Sequence, residues 1–354
     1  MKSRFALTAI LAAILLGGAA QAQTGTGFPP LPPVPQTPPL QNQPKATQFK
    51  FVAAGDNRPA TSGTPQPKTP SQIFKDAQRF KPAFFIWSGD TIYGHEAHRQ
   101  ELQDQYQEFF NIARLAKAPV FNSPGNHEMD TLQRTAGGKV ETPDAQLQAW
   151  YLEFMKFPAN AQPYGAFDYG NSRFIAVDTE EVAGADSVRS PGKVVGKAGR
   201  TTTLDPGSVS KVQMDLLAQD LEANKAKAHI FVFMHHPIMP ARSESGLNQT
   251  DAAALQTLFG KYPNVSYVIA AHEHLYFNAT GTTLTPDDRQ DPSTAGPFYL
   301  VSGGAGAPLE DCPGSAGANC KSFNHYLVFE VDGDTVKVQV VPVLSGSAKK
   351  NQRR

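Results

Sequence analysis

The stretch Ala83-Phe84-Phe85-Ile86-Trp87-Ser88-Gly89-Asp90 is an apolar run of strand length that stops on a glycine and a carboxylate. It is one of five such runs. Residues 49–55 lead to Asp56, 118–125 to Asn126 and His127, 229–234 to His235, and 265–271 to His272 and His274. Short continuous runs rich in Val, Ile and Phe are the mark of strands buried on both faces. Each metal-capable side chain falls at the carboxyl end of its run, the edge at which open α/β sheets bind ligands.

Working outward, helical patterns separate the runs at 71–80, 96–115, 145–157, 208–224 and 251–259. In 208–224, Val212, Leu216, Leu217 and Leu221 make one apolar face. The end of the body is strand-rich at 174–177, 297–302, 325–331 and 335–343, with Asp332-Gly333-Asp334 as a hairpin turn between the last two. These elements predict an α/β fold: one domain over 48–345, built as a four-layer αββα sandwich of two mixed sheets with helices outside. Three stretches, 131–145, 181–207 and 279–297, read as long polar loops.

Composition excludes several classes. The chain has 354 residues, 40% of them hydrophobic, which is too apolar for disorder throughout and enough for a large core. Its 32 basic and 32 acidic residues cancel, so no global field draws it to nucleic acid or an anionic membrane. With only 2 Cys it is no disulfide-stapled miniature.

Residues 1–22 read as a signal peptide: Lys2 and Arg4, a short apolar run, then Ala20-Gln21-Ala22. A retained N-terminal anchor is the alternative. Cleavage would leave a protein exported to the periplasm or beyond, with no stable membrane anchor. Residues 23–47 are Pro-rich and read as an extended, unpacked linker. Residues 346–354 form a basic tail. Cys312 and Cys320 enclose a Gly-rich loop and are expected to pair in an oxidising compartment; a thiol metal site is the alternative.

Two aspartates, an asparagine and three histidines can build a dinuclear cation site. Oxygen ligands suit hard cations and imidazole suits transition metals, so the mix favours two divalent or mixed-valence ions of Fe, Mn, Zn or Co. Two such ions can clamp a phosphate and lower the pKa of a water, with no side-chain nucleophile.

Five motifs stand in order: Gly55-Asp56, Gly89-Asp90, Gly125-Asn126-His127-Glu128, His235-His236-Pro237 and His272-Glu273-His274. The set resembles that of the calcineurin-like metallophosphoesterases. Gly89-Asp90-Thr91-Ile92-Tyr93 and Val232-Phe233-Met234-His235 resemble more narrowly the purple acid phosphatase branch. The resemblance implies that Asp56 and His274 bind a first metal, that Asp90 bridges, and that Asn126, His235 and His272 bind the second. It gives His127 to the phosphate and the leaving oxygen. The first motif departs from the family, reading Asp56-Asn57-Arg58 without its histidine. Tyr93 either replaces that ligand or walls the pocket. Arg58 either binds a phosphate oxygen or pairs with a carboxylate. His236, beside a ligand, is a wall or substrate contact.

The expected activity is hydrolysis of a small phosphomonoester by metal-activated water, with acid phosphatase activity. A phosphodiesterase on the same site is the alternative. A non-catalytic metal-binding or adhesion module with this fold is the alternative from another class.

Overall fold

A computed structural model describes residues 27–41, 43–95, 98–135, 138–181, 192–195, 201–204, 206–280, 289–290 and 296–344. The signal peptide expected at 1–22 and the basic tail at 346–354 lie outside them, as does much of the expected loops 181–207 and 279–297.

Two mixed sheets stack face to face. In the first the order is Arg289–Gln290, Thr335–Pro342, His325–Asp332, Gln48–Ala54, Phe84–Ser88 and Val120–Ser123. The second runs Cys320–Lys321, Tyr276–Asn278, Phe298–Ser302, Val265–Ala270, His229–Phe233, Ser172–Ala176 and Gly165–Tyr169. Gln48–Ala54, Phe84–Ser88 and Val120–Ser123 are mutually parallel, and so are His229–Phe233 and Val265–Ala270. Parallel pairing brings the carboxyl ends of each set to one edge.

Alternation along these strands decides which layer each side chain enters. Phe51, Phe84, Ile86, Phe231, Phe233, Tyr267 and Ile269 point between the sheets and pack with Phe174 and Phe329. Their neighbours Val52, Phe85 and Trp87 face outward onto Ile73, Phe74, Leu102 and Phe109 of the helices Lys68–Asp76 and Arg99–Ala113. On the other side Ile230, Val232 and Val268 meet Leu217, Leu221, Leu255 and Phe259 of Lys211–Ala223 and Gln249–Phe259. The result is the αββα order of layers that the strand runs predict. Two helix starts differ from expectation by a few residues because polar caps set them. Ser210 accepts from the main chain of Gln213, and Asn248 from that of Asp251.

Several stretches depart from the sequence reading. Within the expected loops, Gly192–Val195 pairs antiparallel with Thr201–Leu204, and Arg289–Gln290 pairs with Thr335–Pro342. Residues 131–145 are not all loop: Asp130–Thr135 and Gly138–Pro143 pair as an antiparallel hairpin, followed by the helix Ala145–Phe154. The Pro-rich stretch, expected to be unpacked, is packed over 28–34. Its main chain bonds to Ala166 on the edge strand of one sheet and, through the Val34 N–H, to Val120 on the edge strand of the other. Phe28, Leu31 and Val34 are buried, one in each of the three core layers. A spacing of three is the repeat of a polyproline helix, which puts all three side chains on one face. Prolines are tolerated because the segment lies along sheet edges, where it also shields unpaired strand groups.

Candidate metal centre

The strand tips converge where the two sheets meet. An oxygen of Asp56, an oxygen of Asp90 and a ring nitrogen of His235 lie within 4.8 Å of one another. His235 Nε2 is 3.3 Å from Asp90 Oδ1 and 3.0 Å from Asn126 Oδ1. His272 Nδ1 is 3.2 Å from both Asn126 Oδ1 and His235 Nε2. On the other side His274 Nε2 is 3.8 Å from Asp56 Oδ1. Asp90 therefore stands between two donor groups, one of Asn126, His235 and His272, the other of Asp56 and His274.

The backbone bends sharply to do this. Asp56, Asp90 and His272 all have left-handed φ, at 61°, 52° and 70°. Such conformations cost about 1–3 kcal/mol each and collect at functional sites. Gly89 is required at its turn: a Cβ there would lie 2.7 Å from His235 Nδ1 and 2.8 Å from the Gly125 nitrogen.

A second ring of groups fixes the orientation. His235 Nδ1–H donates to the Ser88 carbonyl and His274 Nδ1–H to that of Pro308, both at 2.8 Å, which leaves each Nε2 lone pair facing inward. Glu128 accepts from the main chain of Asp90, Thr91 and Gly125, tying two motifs together. Glu273 accepts from the main chain of Ala241 and Arg242 at 2.7 Å each, which pins the turn between His272 and His274. Asn57 faces away from the centre, holding Gln66 and the Thr91 carbonyl and accepting from the Trp87 indole.

Electrostatics indicate what this cluster can hold. Burial, then the neighbouring Asp90, pushes the Asp56 carboxyl well up; burial pushes Asp90 up to about 6 despite Arg58. Burial drives His235 down to about 4 and His274 down to about 3, and holds His272 and His127 well below the ordinary imidazole range. Both oxygens of Asp56 are buried without a well-formed hydrogen bond, save a weak approach of the His272 main-chain N–H. Neutral imidazole lone pairs beside poorly compensated buried carboxylates match the donor set of transition-metal ions. The residues fit a dinuclear centre.

The other predicted residues surround it. His127 donates its main-chain N–H to Asp90 Oδ1 at 3.1 Å; its Nε2 is 3.8 Å from Asp90 Oδ2 and its Nδ1 meets the Tyr93 carbonyl. Arg58 Nε donates to Asp90 Oδ2 at 3.2 Å, and Nη1 to the Pro59 carbonyl. The Tyr93 ring lies 5.6 Å from that of His127 and lines a cavity of about 470 Å³ with Pro59, Gln66, Gln105 and Glu108. His236 stacks on His272 at 3.9 Å and pairs through Nδ1 with Glu180. Cys312 and Cys320 are disulfide-bonded. Their loop follows Pro308 and Glu310, the latter paired with Arg242.

Two nearby residues escaped the sequence reading: Glu141 accepts from Asn126 Nδ2 at 3.0 Å, and Glu180 partners His236. His95, ahead of the helix Arg99–Ala113, also reaches the site, with its ring 4.0 Å from that of His127. None belongs to a strand-tip motif. The one signal was that each is a titratable residue within a few positions of a turn, which is too common to act on.

The model of the calcineurin-like phosphoesterase family matches residues 49–276. No curated protein sequence matches the chain. Among solved structures, a purple acid phosphatase from yellow lupin (Lupinus luteus) seeds superposes with a TM-score of 0.57 at 15% identity, over 86% of this chain and 55% of that one. The chain thus spans about half the length of that protein. A dimetal phosphatase from Danio rerio gives 0.53 at 14% identity, over 84% of this chain and 97% of its own. GAP50, described as the anchor in the inner membrane complex of Plasmodium, gives 0.52 at 13%, over 85% and 86%. At such identities the likeness is one of fold. The family match covers more than half of the sequence and spans the five converging tips, so this chain belongs to the calcineurin-like phosphoesterases.

Proposed function

We propose that this protein is an exported phosphomonoester hydrolase with a dinuclear metal centre. The observation that carries this reading is the convergence of Asp56, Asp90, Asn126, His235, His272 and His274, all buried but the half-buried His272, around one carboxylate. Asp56 and His274 would hold one ion, Asn126, His235 and His272 the other, with Asp90 between them. Bound there, the ions would supply charge for the phosphate and an acidified water as nucleophile.

The chain's own groups do the rest. His127 is held by the Tyr93 carbonyl at Nδ1, so Nε2 is the atom that gives a proton to the leaving oxygen. A phosphate dianion beside it raises its proton affinity from the low value that burial imposes. Arg58 is engaged through Nε and Nη1, which leaves Nη2 to donate to a phosphate oxygen. His236 extends the wall over His272. Export is supported by the leader sequence at 1–22 and by the Cys312–Cys320 bond, which suits an oxidising compartment. No helix among the described residues is long and apolar enough to cross a membrane.

Hydrolysis of an aryl phosphate monoester, with and without chelator, tests the reading. Asp90→Ala should lose metal and activity together. His127→Ala should keep metal while the rate falls about 10²–10⁴-fold, the usual worth of a general acid. Faster turnover of a bis-aryl diester would favour the phosphodiesterase alternative. The likeness to an anchor protein keeps a second reading in view, metal binding without turnover. Full metal occupancy with no hydrolysis of either ester would establish it.

A further inference from the structure

We propose that Glu141 is a positioning residue that sets which end of the Asn126 amide faces the metal centre. The inference rests on reading Asn126 as a ligand. An asparagine amide has an oxygen end and an NH2 end of nearly the same size, and only the oxygen can bind a cation. Here Oδ1 points at His235 Nε2 and His272 Nδ1, at 3.0 and 3.2 Å. Nδ2 points the other way and donates to Glu141 Oε2 at 3.0 Å. A carboxylate only accepts, so it takes the NH2 end and rejects the oxygen. The flipped amide would set two acceptors against each other on one side. On the other it would present N–H groups to the cation.

The fold delivers Glu141 for this purpose from beyond the motif. The short helix Asn126–Met129 runs directly into the hairpin, where Glu141 lies opposite Leu132 near its base. His95 bridges the arrangement. Its Nδ1 is 2.7 Å from the Asp130 carbonyl, and its Nε2 is 3.8 Å from Glu141 Oε1. Such outer partners of a metal ligand are typically worth about 10–100-fold in metal affinity.

Mn²⁺ titration of the full chain, with stoichiometry and the weaker dissociation constant as readouts, provides the test. Asn126→Ala should lose one ion; if it binds both as tightly as wild type, the ligand reading fails and this inference with it. Glu141→Ala should keep both ions and weaken one by about 10–100-fold. Glu141→Gln, whose amide offers an acceptor oxygen but can also turn its NH2 end to Asn126, should weaken the same ion by less than Glu141→Ala. In an Asn126→Asp background the sign should reverse: Glu141→Gln should tighten binding, because two carboxylates no longer face each other. With Asn126→Ala defective, unchanged Mn²⁺ binding in Glu141→Ala would overturn the inference alone. So would a Glu141→Gln variant as damaged as Glu141→Ala. If Glu141→Ala does not fold, the opposite effects of Glu141→Gln in the two backgrounds decide the matter, and equal effects count against it.

Discussion

A Cβ on Gly303 would lie 2.4 Å from Oδ2 of Asp56 and 2.1 Å from the carbonyl oxygen of Glu273. The turn after the strand Phe298–Ser302 therefore presses bare backbone against the first carboxylate of the site and against the turn that carries His272 and His274. Gly303 is not in the left-handed region, so what it supplies is closeness. Gly303→Ala must displace one of these neighbours, and the Glu273 carbonyl is main chain and cannot swing aside. The expected outcome is a folded protein that holds one metal ion more weakly, read by metal analysis after dialysis. Wild-type retention would mean that the turn can move without cost.

If Tyr93 is the phenolate ligand rather than the wall, it completes a first ion that would otherwise have only Asp56, Asp90 and His274 from the chain. Iron-loaded protein should then show a visible charge-transfer band, and Tyr93→Phe should bleach it while preserving ring volume and fold. A colourless, fully active iron-loaded wild type would leave Tyr93 as a wall of the cavity it lines.

His325 carries a pH dependence away from the metal centre. It is buried, with Nε2 3.1 Å from Ser302 Oγ and Nδ1 donating to the Phe323 carbonyl, and burial lowers its pKa to about 4. The unfolded chain takes up this proton near pH 6.5, before the folded one does. Its contribution is therefore fully present above about pH 6.5 and is lost as pH falls toward 4, about 3 kcal/mol in all. Denaturant melts of His325→Gln should show less acid loss than wild type across this window. Parallel curves would refute the assignment.

Leu31→Ala tests the N-terminal strap. Leu31 is buried between the sheets, and its main chain bonds to Ala166. Removing its side chain should cost about 2–5 kcal/mol, the usual range for a core leucine. An effect below about 0.5 kcal/mol, normal for exposed positions, would show that the strap is not part of the folded core in solution.

The αββα layering and the order of the five tips were legible in the sequence because both are local. A strand buried on two faces must be continuously apolar, and a polar residue ending it stands at the sheet edge. Phe84, Phe85, Ile86 and Trp87 announce their layers by alternation alone. The hairpin at 130–143 was not legible, because its strands carry a polar pattern and gain their order from pairing. The strap was misread because Pro content reports the conformation of a segment and says nothing of what it lies against. Phe28, Leu31 and Val34 find their layers only once both sheet edges exist.

The sequence by itself determined which residues could meet: the metal-capable side chains end five strand runs, and strand direction sends those ends to common edges. Tertiary structure alone decided how they meet. It placed Asp90 between the two donor groups and aimed the Nε2 atoms of His235 and His274 inward by giving their Nδ1 atoms to Ser88 and Pro308. It also brought Glu141 to the Asn126 amide and Gly303 to Asp56. The physical reason is range. Burial and strand periodicity act through neighbours in the chain. A hydrogen bond between Ser88 and His235, 147 residues apart, exists only after both sheets have closed on their shared core.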